Sequence, residues 1–283
     1  MPTVDVTELT DPGCPFAFSA EPHRWRLRWL FGDQLRWRVR MVVLAETRED
    51  HLEKGFDPAR VARSSASLAE RYGMPMTEEV KPAVAATLPA CRAVVAARLH
   101  APDREEPLLR RLRHLHFAGP LLDDPATIAQ AATDVGLDWV PLEAWSAEEA
   151  TERALREDMS LARDPTRAAL ALAHKLAPTP DGGWRYTCPS LEFRTDTGAT
   201  FSAPGFQSSL AYETALANLE PTLERRDDPQ GVAEVLAWAG VPLAAVEVAE
   251  VCGIGREDAR AKLEGAGAVA EPVGRDAFWT RAA

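Results

Sequence analysis

Three observations predict an α/β fold for this 283-residue chain. The first forty residues alternate strand, helix and strand. A long helical block then separates this opening from later strands. Those strands pair as a hairpin before a further helix.

Residues 3–9 alternate Val4 and Val6 with other positions and run into Thr10-Asp11-Pro12-Gly13, a strand ending in a tight turn. Pro15 stands where a helix starts, at a position that tolerates its missing N–H. Trp25 and Trp29 recur at helical spacing through 16–31, and Gly32-Asp33 stops that helix. Leu35, Trp37, Val39 and Met41 then alternate with Arg36, Arg38 and Arg40, a strand with one apolar face. Strand, helix and strand in this order imply a right-handed parallel crossover.

From about 57 to 176 the pattern is helical, which reads as an insertion. Asp57-Pro58 opens a helix that Gly73 closes. An Ala- and Val-rich helix at 79–99 is limited or kinked by Pro82 and Pro89. Helices at 104–117, 124–135 and 146–161 follow, the last with Ser146 and Glu149 as a capping box. Asp164-Pro165 opens a final one at 167–176. Strands at 189–193 and 200–203 form the hairpin, and 208–223 returns to helix. The polar stretch 224–229 marks a boundary, so the expected domains are 1–226 and 227–283. In the second, three helices and two short strands give a winged-helix pattern.

Composition narrows the function. The 46% apolar and 27% charged content is that of a globular chain, and no window reaches the roughly 18 apolar residues of a membrane span. The start, MPTVDVTELTDPGCP, has neither the basic nor the apolar region of a signal peptide. The expected location is therefore cytoplasmic, where thiols stay reduced. Four widely spaced cysteines (Cys14, Cys91, Cys188 and Cys252) argue against a disulfide framework and a paired zinc site. A net charge of −11 argues against nucleic acid and anionic membranes as partners. The basic residues are 28 Arg and 4 Lys, a skew we read as coding bias.

Asp11-Pro12-Gly13-Cys14-Pro15-Phe16-Ala17-Phe18 carries the sharpest chemical signal. A cysteine between a strand and the first turn of a helix faces free N–H groups and the helix dipole, both of which favour its thiolate. This motif resembles the DsbA family of thioredoxin-fold proteins, particularly its cytoplasmic FrnE-like branch. The resemblance extends from Met1 to about Leu223. It implies a thioredoxin-like fold with a helical insertion and a cis-proline opening the third strand, matched by Thr187-Cys188-Pro189-Ser190-Leu191. It also implies a thiol oxidoreductase with Cys14 as nucleophile, Pro189 holding substrate-facing backbone, and Pro15 and Phe16 at the lip.

The chain departs from the redox members at one position, with Ala17 where they carry a second cysteine. A dithiol cycle within this motif is therefore excluded. Three readings remain. Cys14 could act as a single nucleophile with a low-molecular-weight thiol as co-substrate and no tightly bound cofactor. Cys188, which the fold would set against the active sulfur, could be the resolving thiol. Otherwise the domain is catalytically degenerate and binds a partner or ligand.

The remaining candidates have plainer expectations. Cys91, in an Ala/Val helical run, and Cys252, at a helix end, read as packing. The arginines of 24–40 read as a solvated face. His114 and His116, two apart on a helix, point in different directions and make no metal site. His23 lies nine residues past Cys14, about 13 Å along a helix and too far to serve as a base. Residues 229–283 hold 5 basic and 8 acidic side chains, so the tail is expected to contact protein and not DNA, with a homodimer as one outcome.

Overall fold

Val4, Val6 and Leu9 are fully buried, which makes β1 (Val4–Thr10) a central strand of the main sheet. The computed structural model describes residues 2–282. After β1 come α1 (Pro15–Ser19), α2 (Glu21–Phe31) and β2 (Leu35–Met41), which pairs parallel to β1 from Val4↔Leu35 to Thr10↔Met41. The single helix expected over 16–31 is two, meeting at Ala20. Pro22 has no N–H to donate four residues back, so the ladder breaks and a new helix starts with Pro in its first turn.

The helical block begins earlier than expected, at α3 (Arg48–Glu53), whose Thr47–Asp50 capping box went unread in the sequence. It continues through α4 (Pro58–Tyr72), α5 (Leu88–His100), α6 (Glu105–Ala118), α7 (Pro125–Asp134), α8 (Trp139–Ser146), α9 (Glu149–Ala162) and α10 (Arg167–Leu170). Three expectations need correction. The helix placed at 167–176 ends at Leu170, and Leu176 already belongs to a strand. The helix placed at 79–99 starts only at Leu88, because Pro89 has no N–H to donate to a preceding turn and is accommodated in the first turn of the helix. Ser146 ends α8, its hydroxyl donating to the Leu142 carbonyl at 2.7 Å, and does not cap α9.

A small hairpin, β3 (Leu176–Pro178) and β4 (Trp184–Tyr186), leads to β5 (Ser190–Thr195), β6 (Thr200–Ala203) and α11 (Ser209–Leu219). The main sheet has the order β2-β1-β5-β6, with β5 antiparallel to both neighbours. The C-terminal segment comprises α12 (Val232–Ala239), β7 (Leu243–Ala244), α13 (Ala245–Cys252), α14 (Arg256–Gly265), β8 (Val269–Val273) and β9 (Asp276–Thr280), with its own sheet ordered β7-β9-β8. Among the described residues no helix is long and apolar enough to cross a membrane.

One apolar core runs through both segments, joining Val6, Trp29 and Phe193 to Val235, Val248 and Trp279. A buried ion network crosses the same junction. Arg113 on α6 pairs with Glu21 on α2, and Arg110 bridges Glu21 at 3.1 Å to Glu247 of α13 at 2.7 Å. Glu8 of β1 joins through Arg24 at 2.9 Å. The expected solvated arginine face therefore holds only for Arg36 and Arg38 on β2, whereas Arg24, Arg26 and Arg28 on α2 are enclosed by ion pairs to Glu8, Glu106, Glu213 and Asp228. Packing of α6 and α13 against α2 supplies that enclosure, which helical spacing alone does not reveal.

Candidate active site

The register of β1 and β5 builds the site. Leu9 pairs with Ser190, so the residues after Leu9 and those before Ser190 emerge at the same end of the sheet. Cys14 follows as the N-cap of α1, with extended backbone and Pro15 as the first helical residue. Cys188 precedes the strand, and the Cys188–Pro189 peptide bond is cis. The two cysteines, 174 positions apart, thus meet: the Cys14 thiol donates to the Cys188 carbonyl oxygen at 3.4 Å, and both side chains are buried at the same place. They share a small apolar cluster with Leu9, Ala17, Val42 and Tyr186. All four cysteines are free thiols.

The electrostatics separate the pair. The Cys188 side-chain hydrogen bond, helped by N–H groups of Ala17 and Phe16, holds the Cys14 thiol below its ordinary range, against burial and the nearby Asp11 carboxylate. Burial, and then the sulfur of Cys14, push the Cys188 thiol well above its range. The two shifts make Cys14 the more acidic thiol of the pair. Access is narrow, since Cys14 is 5% and Cys188 7% exposed, while Phe16 at the lip is 43% exposed.

Both loops are braced from behind. Ser190 Oγ donates to the Thr187 carbonyl at 2.6 Å and accepts from Gly205 N–H at 2.9 Å, while Thr187 Oγ1 donates to Lys175 O at 2.7 Å. Asp11, fully buried, accepts at Oδ1 from Gly13 N–H (2.7 Å) and at Oδ2 from Leu44 N–H and Thr87 Oγ1 (both 2.8 Å). The Cys91 thiol also points to Asp11 Oδ2, at 3.6 Å, and burial keeps it protonated, well above the usual thiol range. Asp11 therefore clamps the turn that carries Cys14.

An aromatic rim surrounds the lip. The Phe16 ring lies 6.5 Å from Tyr72, which lies 4.7 Å from Phe206, and Phe206 meets His23 at 5.4 Å. His23 Nδ1 is 3.1 Å from Glu250 of α13. Tyr72 carried no signal in the sequence, because nothing in α4 links it to a motif some fifty residues away. The other singled-out residues lie elsewhere. His114 stacks on Phe278, His116 contacts Lys81 Nζ at 3.1 Å, and Cys252 packs at the edge of the main core. Among the described residues, no three His, Cys, Asp or Glu side chains are grouped to hold a metal ion.

No protein-family model matches the sequence, and no curated protein does. Solved structures do resemble it. A Nitrosomonas europaea protein assigned as a protein disulfide isomerase aligns with a TM-score of 0.58 at 16% identity, over 76% of this chain and 97% of its own. A Streptomyces coelicolor protein assigned as a DsbA oxidoreductase aligns with a TM-score of 0.54 at 17% identity, over 80% and 93%. The cytosolic disulfide reductase DsbM of Pseudomonas aeruginosa aligns with a TM-score of 0.53 at 16% identity, over 77% and 98%. The chain has a DsbA-like thioredoxin fold. This fold carries the large helical insertion, and about a fifth to a quarter of the chain lies outside each alignment.

Proposed function

We propose that the protein is a thiol–disulfide oxidoreductase of DsbA type, FrnE-like in its motif, in which Cys14 and Cys188 form a relocated dithiol pair. The approach of the Cys14 sulfur to the Cys188 carbonyl, with both side chains in one buried cluster, is the observation that carries this reading. The Cys14 thiolate attacks one sulfur of a substrate disulfide, forming a Cys14 mixed disulfide and releasing the other sulfur as a thiolate that takes up a proton. That step removes the negative sulfur beside Cys188, one of the causes holding its thiol up. Cys188 then loses its proton, attacks Cys14 Sγ and expels the second substrate thiol. The substrate is reduced by two electrons and the protein is left with a Cys14–Cys188 disulfide. Two molecules of a low-molecular-weight thiol restore the dithiol and leave as their disulfide. Pro189, Pro15 and Phe16 frame the approach to sulfur.

A reducing, cytoplasmic setting suits this direction of electron flow, as it does for the cytosolic disulfide reductase of the same fold. The C-terminal segment, winged-helix-like in element order, serves as a protein contact in this reading and reads no nucleic acid. A second reading, a degenerate partner-binding module, draws on the buried Ala17 in place of the second cysteine. Mild oxidation followed by disulfide mapping decides between them. A Cys14–Cys188 bond, with turnover of a small disulfide lost in Cys14→Ser, supports the enzyme. Two free thiols and no turnover support the binding module.

A further inference from the structure

We propose that the groove between the end of α4 and the start of α14 receives the polypeptide flanking the cysteine that Cys14 engages. The inference rests on the oxidoreductase reading and names its substrate class, an extended protein segment bearing charged side chains.

Position comes first. Tyr72 closes α4 and belongs to two features at once: the aromatic rim around Phe16, and one end of an open groove of about 400 Å³ that continues to Arg256 and Asp258. An extended chain advances about 3.3 Å per residue. With its cysteine at Cys14, its next residues cross Phe16 and Tyr72 and the following ones enter the groove.

Chemistry follows. Among the described residues Arg71 forms no ion pair, and neither do Glu70 and Asp258, although all three line the groove. The Arg71 guanidinium lies 5.1 Å from the Tyr72 ring centroid. A segment with side chains of both signs would pair these groups. The walls are also fixed in advance. A Cβ on Gly73 would lie 2.8 Å from Arg256 Nη1 and 3.1 Å from Val246 Cβ, so the two elements touch beside the groove. The turn at Gly274 likewise packs on the Met76 carbonyl. Such preorganisation lowers the ordering cost of binding.

The test uses the full chain and synthetic decapeptides, each with one cysteine as its mixed disulfide with 2-mercaptoethanol. They carry Asp, Lys or Ser three to five positions from the cysteine. An exposed charge pair of this kind changes kcat/KM by about two- to fivefold, expressed in KM. We expect charged peptides to be preferred over the Ser peptide, Arg71→Glu to shift preference from Asp toward Lys, and Glu70→Lys to shift it the opposite way. Equal turnover of all three peptides, or a preference that neither reversal moves, overturns the proposal. Fluorescent peptides with Ser for Cys, followed by anisotropy, separate the two readings. Charge-dependent binding altered by Arg71→Glu in a protein without exchange activity keeps the groove and sinks the oxidoreductase. Active exchange with no peptide binding sinks the groove alone.

Discussion

Cys14 and Cys188 occupy one site yet carry opposite shifts: the Cys188 side chain lowers Cys14, whereas burial, and then the Cys14 sulfur, raises Cys188. A hydrogen bond to a charged partner is worth about 1.5–3 kcal/mol. Cys188→Ala should therefore raise the midpoint of Cys14 alkylation with pH and slow alkylation near pH 6 by about tenfold or more. An unchanged profile would assign the thiolate to the helix N–H groups alone. Ala17 is buried in the same cluster as both sulfurs. Ala17→Cys restores the missing spacing, and disulfide mapping after oxidation should show Cys14 bonded to the residue at 17 in place of Cys188. Retention of the Cys14–Cys188 bond would show that this pair is the more favourable one.

At the scale of elements, turns and prolines decide where helices stop. Pro89 reads in the sequence as a limit or kink, yet it stands in the first turn of α5, and Pro22, which carries no expectation from the sequence, stands likewise in the first turn of α2. The β8–β9 turn shows the converse case, in which a local signal has a distant cause. Gly274 adopts φ +57°, and any Cβ there would overlap the Met76 carbonyl. Gly274→Ala should destabilise the protein by about 2–4 kcal/mol, read as a lowered urea midpoint, through backbone strain and displacement of the turn from 74–78. A change below about 0.5 kcal/mol would mean that this docking is loose.

Over the whole molecule, the ion network ties sheet, insertion and C-terminal segment together. Burial alone would raise the Glu21 carboxyl, but the Arg113 and Arg110 guanidiniums overcome it and hold it down to about 2. A carboxyl depressed in the folded state contributes stability above its unfolded value, near 4.3, and loses it as pH falls toward 2. Unfolding free energy should therefore drop steeply between about pH 4.5 and pH 2. Glu21→Gln should flatten that drop and cost about 3–5 kcal/mol at pH 7, because it leaves buried guanidiniums unpaired. Denaturant titrations across this range check both the slope and the loss.

The α/β class and the insertion are legible in the chain because they rest on local signals, alternation and helical spacing; the pairing of Cys14 with Cys188 is reached from the sequence only through the likeness to the DsbA family, which a turn followed by Cys-Pro and a Pro at a strand start carry. The enclosure of Arg24 and Arg28, the clamp of Asp11 by Thr87 and Cys91, and the Tyr72 rim were not legible. Each depends on which elements pack together, and burial and charge pairing between residues some tens to two hundred positions apart leave no periodicity in a single sequence. Those contacts exist only once β1, α2, α6 and α13 share one core, and there they set the surroundings of a sulfur whose place the sequence had already marked.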